Sequence, residues 1–371
     1  MKYYIIAGEA SGDMHASNLI AEIKKKDQKA EFRAWGGDLM RKQGVTMVKH
    51  YRHMAFMGFV EVAVNLRKVL GNIKECKADL LNYRPDVVIL VDYPGFNMRI
   101  AQFAHQNHLK VCYYISPQVW AWKQHRVKKI RKYVDKMLVI LPFEETFYKE
   151  HGVNADFVGH PLLDELSKLN ASPRINFVHR NNLSEKREII ALLPGSRKQE
   201  VERMLGTMLK VIPHFSQYQF VIAGVPSLDK ELYIRMIGDK DVRLVMNQTY
   251  ELLQNSSAAL VTSGTATLET ALLSVPEVVC YKAHRLSYLI ARNLVKVKYI
   301  CLVNLIMNKE VVKELIQNDF NEANLVSELE QLLNNPEKQR RLLDDLDSLK
   351  HRLGNTGASE KAAELIVEMI K

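Results

Sequence analysis

The chain has 371 residues, 47% of them hydrophobic and 25% charged, with a formal net charge of +10. That composition excludes long disorder and fibrous repeats, and no run of about 18 apolar residues is present to cross a membrane. The excess of positive charge favours an acidic partner, whether nucleic acid, an anionic membrane surface or a phosphorylated substrate, and composition does not choose among them.

The length suggests two domains. The opening MKYYIIAGEASGD has a short apolar run that ends in a glycine loop, without the core and cleavage site of a signal peptide, so a cytoplasmic protein is expected. Tyr3–Ala7, Asp86–Asp92, Lys110–Ile115 and Lys136–Leu141 read as strands, because nearly continuous apolar runs suit parallel strands covered on both faces. Met14–Lys26 and Phe59–Cys76 are helical patterns between them. This alternation implies right-handed βαβ units in an open, doubly wound sheet. Residues 163–186 are polar, with a Ser-Pro step and paired asparagines, and are read as the interdomain connection. A second series of strands follows at Arg187–Leu193, Gln219–Ala223, Val242–Met246, Ala258–Thr262 and Val278–Tyr281. Helical patterns close the chain at Asn321–Leu333, Pro336–Leu353 and Ala358–Ile370. Cys76, Cys112, Cys280 and Cys301 form no CxxC pair and are expected to be reduced structural thiols, with no metal site.

The class is therefore α/β, with two Rossmann-like halves and a cleft expected between the carboxyl ends of facing sheets, where such folds bind ligands. Five loops follow predicted strands. Gly8, Glu9, Ser11, Gly12 and Asp13 form a glycine-bearing turn into a helix, but the spacing is neither GxGxxG nor a P-loop. A plain strand-to-helix turn competes with an anion site there. Asp92 ends a strongly apolar strand and could take a proton from an attacking hydroxyl, or simply bond its own turn. Ser116–Lys123 carries Trp120 and Trp122 beside the basic run His125–Lys132. It suits sugar or acyl contacts, or two core tryptophans. Ser196 and Arg197, followed by Glu200, stand at a helix start and form a plausible phosphate clamp. Ser263, Gly264 and Thr265 could cradle a pyrophosphate, and Glu269 one turn later could accept from ribose hydroxyls. Two anion-cradling loops and one strand-end acid fit a nucleotide-sugar transferase. No DxD motif lies on a loop suited to a metal, which favours leaving-group neutralisation by Arg197 and a helix N-terminus.

The segments GEASGD, MGFVEV, VDYPGFN, SPQVWAWKQHRV, LPFE, FVGHP, LPGSRKQEVE and SGTATLE, in this order, resemble the lipid-A-disaccharide synthases, inverting glycosyltransferases of Gram-negative outer-membrane lipid synthesis. The likeness runs from about Tyr3 to the last helix. It implies a GT-B fold: an acceptor domain over 1–165 to which helix 354–371 returns, and a UDP-donor domain over 187–353. It implies UDP-2,3-diacylglucosamine and 2,3-diacylglucosamine 1-phosphate as substrates, a β-1,6-linked disaccharide 1-phosphate and UDP as products, and no cofactor. Asp92 matches the family's essential aspartate in the VDYP loop, and Arg197 matches its functional arginine in LPGSR. Two positions depart from the pattern: Gly95 stands where an acid is frequent, and Val303 precedes Asn304 where a proline is expected.

The resemblance also implies a peripheral place on the inner face of the inner membrane. Phe59, Val60, Val62, Ala63, Leu66, Val69 and Leu70 would carry the lipid-facing stripe. A core-facing helix has the same periodicity. The basic amphipathic segment His284–Lys298 is a second candidate. A homodimer is left open. The rival enzyme is a UDP-sugar epimerase of the same architecture. A nucleic-acid-binding module lacks any supporting motif.

Overall fold

The computed structural model describes residues 1–54, 66–122, 124–169, 174–284, 288 and 297–371. The chain divides into two compact units, Met1–Ser167 with Leu353–Lys371, and Lys168–Arg352.

Among the described residues the first unit holds seven parallel strands: β1 (Lys2–Ala7), β2 (Glu31–Gly36), β3 (Thr46–His50), β4 (Val87–Val91), β5 (Lys110–Tyr114), β6 (Lys136–Val139) and β7 (Ala155–Phe157). Their order in the sheet is β3-β2-β1-β4-β5-β6-β7. Strand periodicity divides the apolar residues between two faces. On one face Tyr4, Ile6, Val88, Leu90 and Tyr113 pack under helices Leu66–Tyr83 and Pro94–Gln106. On the other, Tyr3, Ile5, Ala7, Ile89 and Val91 pack under Leu19, Ile20 and Ile23 of helix Ala10–Lys26 and Ala362, Ala363, Ile366 and Val367 of helix Ala358–Ile370. Burial on both faces is why β1 and β4 are unbroken apolar runs.

The second unit holds β8 (Glu188–Leu193), β9 (Tyr218–Gly224), β10 (Val242–Met246), β11 (Ser256–Thr262), β12 (Glu277–Tyr281) and β13 (Lys313–Ile316), in the order β10-β9-β8-β11-β12-β13. All are parallel. The stretch read as a polar connection takes in the end of helix Pro161–Ser167 and all of helix Arg174–Arg180. Phe177 explains the second helix: it is fully buried with Ile189, Ala191 and Val261 in the core of this unit. The four cysteines are free and buried, and burial pushes their thiols up. Among the described residues no helix is long and apolar enough to cross a membrane.

The sequence-based reading omits β2, β3, β7 and β13. These strands lie at or near sheet edges and carry polar residues that break the apolar run. In β2, Arg33 is held by Asp79 at 2.6 Å and lies over the Tyr83 ring.

Each sheet reverses its strand order once, between β1 and β4 and between β8 and β11. Adjacent loops leave in opposite directions at such points and open a crevice beyond the carboxyl ends of the strands. The loops Gly8–Asp13 and Asp92–Gly95 leave the first switch point. The loops Pro194–Glu200 and Ser263–Glu269 leave the second.

Candidate functional site

At the first switch point, Asp92 and Tyr93 are consecutive residues in the left-handed region, with φ of 44° and 47°. Such a pair of non-glycine residues costs about 1–3 kcal/mol each and persists only when its surroundings fix it. The Asp92 carbonyl accepts from Asn97 Nδ2 at 2.8 Å and from Tyr113 Oη at 2.5 Å, and its N–H donates to the Tyr114 carbonyl at 3.2 Å. Tyr93 Oη donates to the Met54 carbonyl at 2.9 Å. Gly8 completes the fit, because a Cβ there would lie 2.3 Å from the Tyr93 ring.

The Asp92 backbone is thereby fixed at a strand end, and the residue is partly covered. Burial pushes its carboxyl up to about 7; the negative charge of Glu9 adds to the rise and the Tyr93 amide opposes it. A carboxylate poised near neutrality can accept a proton in the transition state. Gly95 lies in the first turn of the following helix, and a Cβ there meets nothing within 4 Å, so the missing second acid is not a matter of space.

The members of the glycine-bearing loop separate by environment. Ser11 is exposed and Glu9 half-buried at the start of helix Ala10–Lys26, whereas Gly12 is packed on Ala7. Asp13 is buried and accepts from the backbone N–H groups of Gly37 at 2.7 Å, Leu39 at 3.0 Å and Met40 at 3.2 Å. It therefore holds the start of helix Asp38–Lys42 from a distance, as an N-cap side chain would. Asp13→Ala should lower stability by about 1–3 kcal/mol, as orphaned buried amides do, and urea unfolding would read that loss.

At the second switch point Gly195 has φ +117°, and a Cβ would lie 2.6 Å from that of Glu200. Glu200 Oε2 accepts from the N–H groups of Ser196 at 3.0 Å and Arg197 at 3.2 Å, while Oε1 accepts from Arg197 Nη1 at 3.1 Å. The donors of this loop thus converge on an anionic group, here the chain's own carboxylate. Ser263 N–H donates to the Cys280 carbonyl at 2.9 Å, and Gly264 and Thr265 are exposed at the start of helix Thr265–Leu272. Glu269 accepts from Tyr250 Oη at 3.2 Å; burial raises its carboxyl and Tyr250 lowers it. Tyr250 has no sequence signal of its own. Asn304, in the late segment, is fully buried and accepts from Val311 and Val312 N–H while donating to Glu314, so its side chain ties the chain before β13.

Phe59, Val60, Val62 and Ala63 lie outside the described residues, as do residues 285–287 and 289–296 of the second candidate segment. In helix Leu66–Tyr83, Val69 packs against the core whereas Leu70 is 50% exposed. Arg67, Lys68 and Lys74 are exposed on the same helix. No group of three or more metal-ligating side chains occurs among the described residues.

A family model described as lipid-A-disaccharide synthetase matches residues 3–369. The lipid-A-disaccharide synthase of Syntrophus aciditrophicus is 41% identical over 374 aligned positions, covering 99% of this chain and 97% of that protein. That of Nitrosococcus oceani is 39% identical, covering 99% and 96%. Among solved structures, a UDP-GlcNAc 2-epimerase from Neisseria meningitidis bound to UDP-GlcNAc has a TM-score of 0.69 at 13% identity, covering 99% of this chain and 100% of that one. The glycotransferase of kitacinnamycin has a TM-score of 0.68 at 12% identity, covering 100% and 99%. At such identities these structures speak to the GT-B type of fold alone. Family model and relatives agree over nearly the whole length, and the chain belongs to the lipid-A-disaccharide synthetase family.

Proposed function

We propose that the chain joins UDP-2,3-diacylglucosamine to 2,3-diacylglucosamine 1-phosphate in a single inverting displacement that needs no metal. The acceptor 6-hydroxyl attacks the anomeric carbon of the donor, and Asp92 takes its proton. The bond from that carbon to the phosphate oxygen breaks, and UDP leaves with the electron pair. The products are the β-1,6-linked disaccharide 1-phosphate and UDP. The first unit would hold the acceptor. In the second, Ser196, Arg197 and the Ser263–Thr265 turn would hold the pyrophosphate, and Glu269 would face the ribose. The observation that carries this is Asp92, whose carboxyl is pushed to about 7 on a backbone locked at a strand end beside the switch point. The convergence of the Ser196 and Arg197 donors on a carboxylate supports the anion site.

The test is incubation with both lipid substrates in detergent, with and without EDTA, followed by mass spectrometry. Disaccharide formation that survives EDTA is expected. Conversion of the UDP-sugar to an isomer without acceptor would favour the epimerase instead.

The acylated substrates make an anionic membrane surface the natural partner, and the exposed Leu70 among Arg67, Lys68 and Lys74 supports that docking. Leu70→Ser should weaken binding to anionic vesicles and leave the thermal midpoint unchanged, because the side chain has little packing to lose. Val69→Ser should lower the midpoint, because it removes apolar surface from the core. Flotation with vesicles and thermal unfolding of the two variants would separate these roles.

A further inference from the structure

The loop after β5 is braced in a way that the reaction outlined above leaves unexplained. β5 lies beside β4, with Tyr114 opposite Val91, so the chain runs out of the sheet next to Asp92. Ile115 turns it with φ +63°. Ser116, Pro117, Val119, Trp120 and Ala121 are then all buried, and Gln118 between them is exposed. The stretch thus hides its serine and tryptophan and leaves one carboxamide at the surface.

Two buried pins hold the stretch, one on each side of Gln118, and both come from helix Pro142–Glu150. Tyr148 Oη and Ser116 Oγ are 2.7 Å apart, and Ser116 Oγ also donates to the Pro117 carbonyl at 3.0 Å. Trp120 Nε1 donates to Glu144 Oε1 at 3.2 Å, and the indole stands edge-on to Phe143 with centroids 5.0 Å apart. Glu144 is 1% exposed. Its other oxygen accepts from the N–H groups of Leu141 at 3.0 Å and Ile140 at 3.3 Å. Those two bonds cap the helix, as a glutamate at its third position commonly does. The bond to Trp120 serves no capping need and reaches a different loop.

We infer that Gln118 contacts the acceptor sugar and that Glu144 is a positioning residue, holding the Gln118 loop in register with the Asp92 turn through Trp120. The inference rests on the glycosyl-transfer reading. A carboxamide offers two donors and an acceptor, which matches the hydroxyl and amide groups of an N-acylated sugar. Glutamine cannot replace Glu144 in full, because its single carbonyl oxygen serves either Trp120 or the two backbone amides while its NH2 faces a donor.

The experiment uses the full chain and compares Q118A, W120F, E144Q and the double variant W120F/Q118A. Initial rates are measured against each substrate, and calorimetry in detergent measures affinity for diacylglucosamine 1-phosphate. Loss of a hydrogen bond to substrate should raise the acceptor KM about three- to tenfold in Q118A, with the donor KM unchanged. W120F and E144Q should show a similar shift, and the double variant should be no worse than Q118A, because both changes remove the same contact. W120F leaves the capping bonds of Glu144 untouched, so it decides the matter if E144Q does not fold. Wild-type acceptor affinity in Q118A, or losses in the double variant that multiply, would overturn the inference. A wild-type enzyme that makes no disaccharide would instead refute the underlying reading, and calorimetry would still report on Gln118.

Discussion

Asp92→Asn should lower turnover by about 100-fold or more and leave UDP affinity near that of the wild type, since general-base catalysis is commonly worth that much. Asparagine is the informative replacement. It tolerates the left-handed backbone that Asp92 and Tyr93 adopt, whereas alanine would add strain to the loss of the base. The pH dependence supplies a second signature. A base must be ionised to act, and this carboxyl is pushed up to about 7, so the acid limb of the rate profile should lie near neutrality rather than near 4. Asp92→Asn should abolish that limb.

Stability should move the opposite way to rate. A carboxyl raised on folding contributes stability that is fully present below its unfolded value, near 4, and is lost as pH rises through about 7. At pH 8 the wild type carries a partly buried charge facing Glu9, and Asp92→Asn does not. The variant should therefore have the higher thermal midpoint at pH 8. Equal turnover in the two proteins would remove Asp92 from the chemistry. A selective loss of UDP affinity would move it to the donor site.

Arg197→Ala should weaken UDP by about 2–4 kcal/mol, on the order of 30- to 1000-fold in Kd, the range for losing a charge-assisted contact to phosphate. The guanidinium is 56% exposed and bonds across one helical turn to Glu200, so among the described residues its removal leaves no fully buried group orphaned. A loss of UDP affinity with an unchanged unfolding midpoint would thus report on ligand rather than on fold. Arg197→Lys should recover part of the loss, because a point charge cannot bind two oxygens in the plane of a fork. Calorimetric titration with UDP would read all three proteins, and unchanged affinity in Arg197→Ala would take the arginine out of the donor site.

What the sequence discloses follows burial. β1, β4 and β8 are covered on both faces and can be read as apolar runs, whereas β3 and β13 lie at sheet edges and carry polar residues that mask the pattern. The four switch-point loops are legible because glycine, serine and acid residues follow a strand and precede a helix. Their internal division is not. Asp13 looks like its neighbours in GEASGD, yet its carboxylate is spent on the amides of Gly37, Leu39 and Met40, which only tertiary structure brings within reach. Glu144 shows the same limit: a glutamate after a proline announces a helix start, and nothing local announces Trp120. Val69 and Leu70 share one periodic pattern but divide between core and surface, because a stripe fixes a face only to within the width of a side chain.

The helix Ala358–Ile370 has a consequence for how the protein is made. It supplies Ala362, Ala363, Ile366 and Val367 to the same core as Ile5 and Leu19, although the entire second unit lies between them in the chain. At about 5–20 residues per second, a nascent first unit waits on the order of ten seconds or more for its covering helix. Throughout that interval Leu19, Ile20 and Ile23 lack one of their native neighbours. The emerging chain thus carries an apolar strip that a ribosome-associated chaperone could shield, and the core that holds Ile5 and Leu19 closes only after the whole second unit has been made.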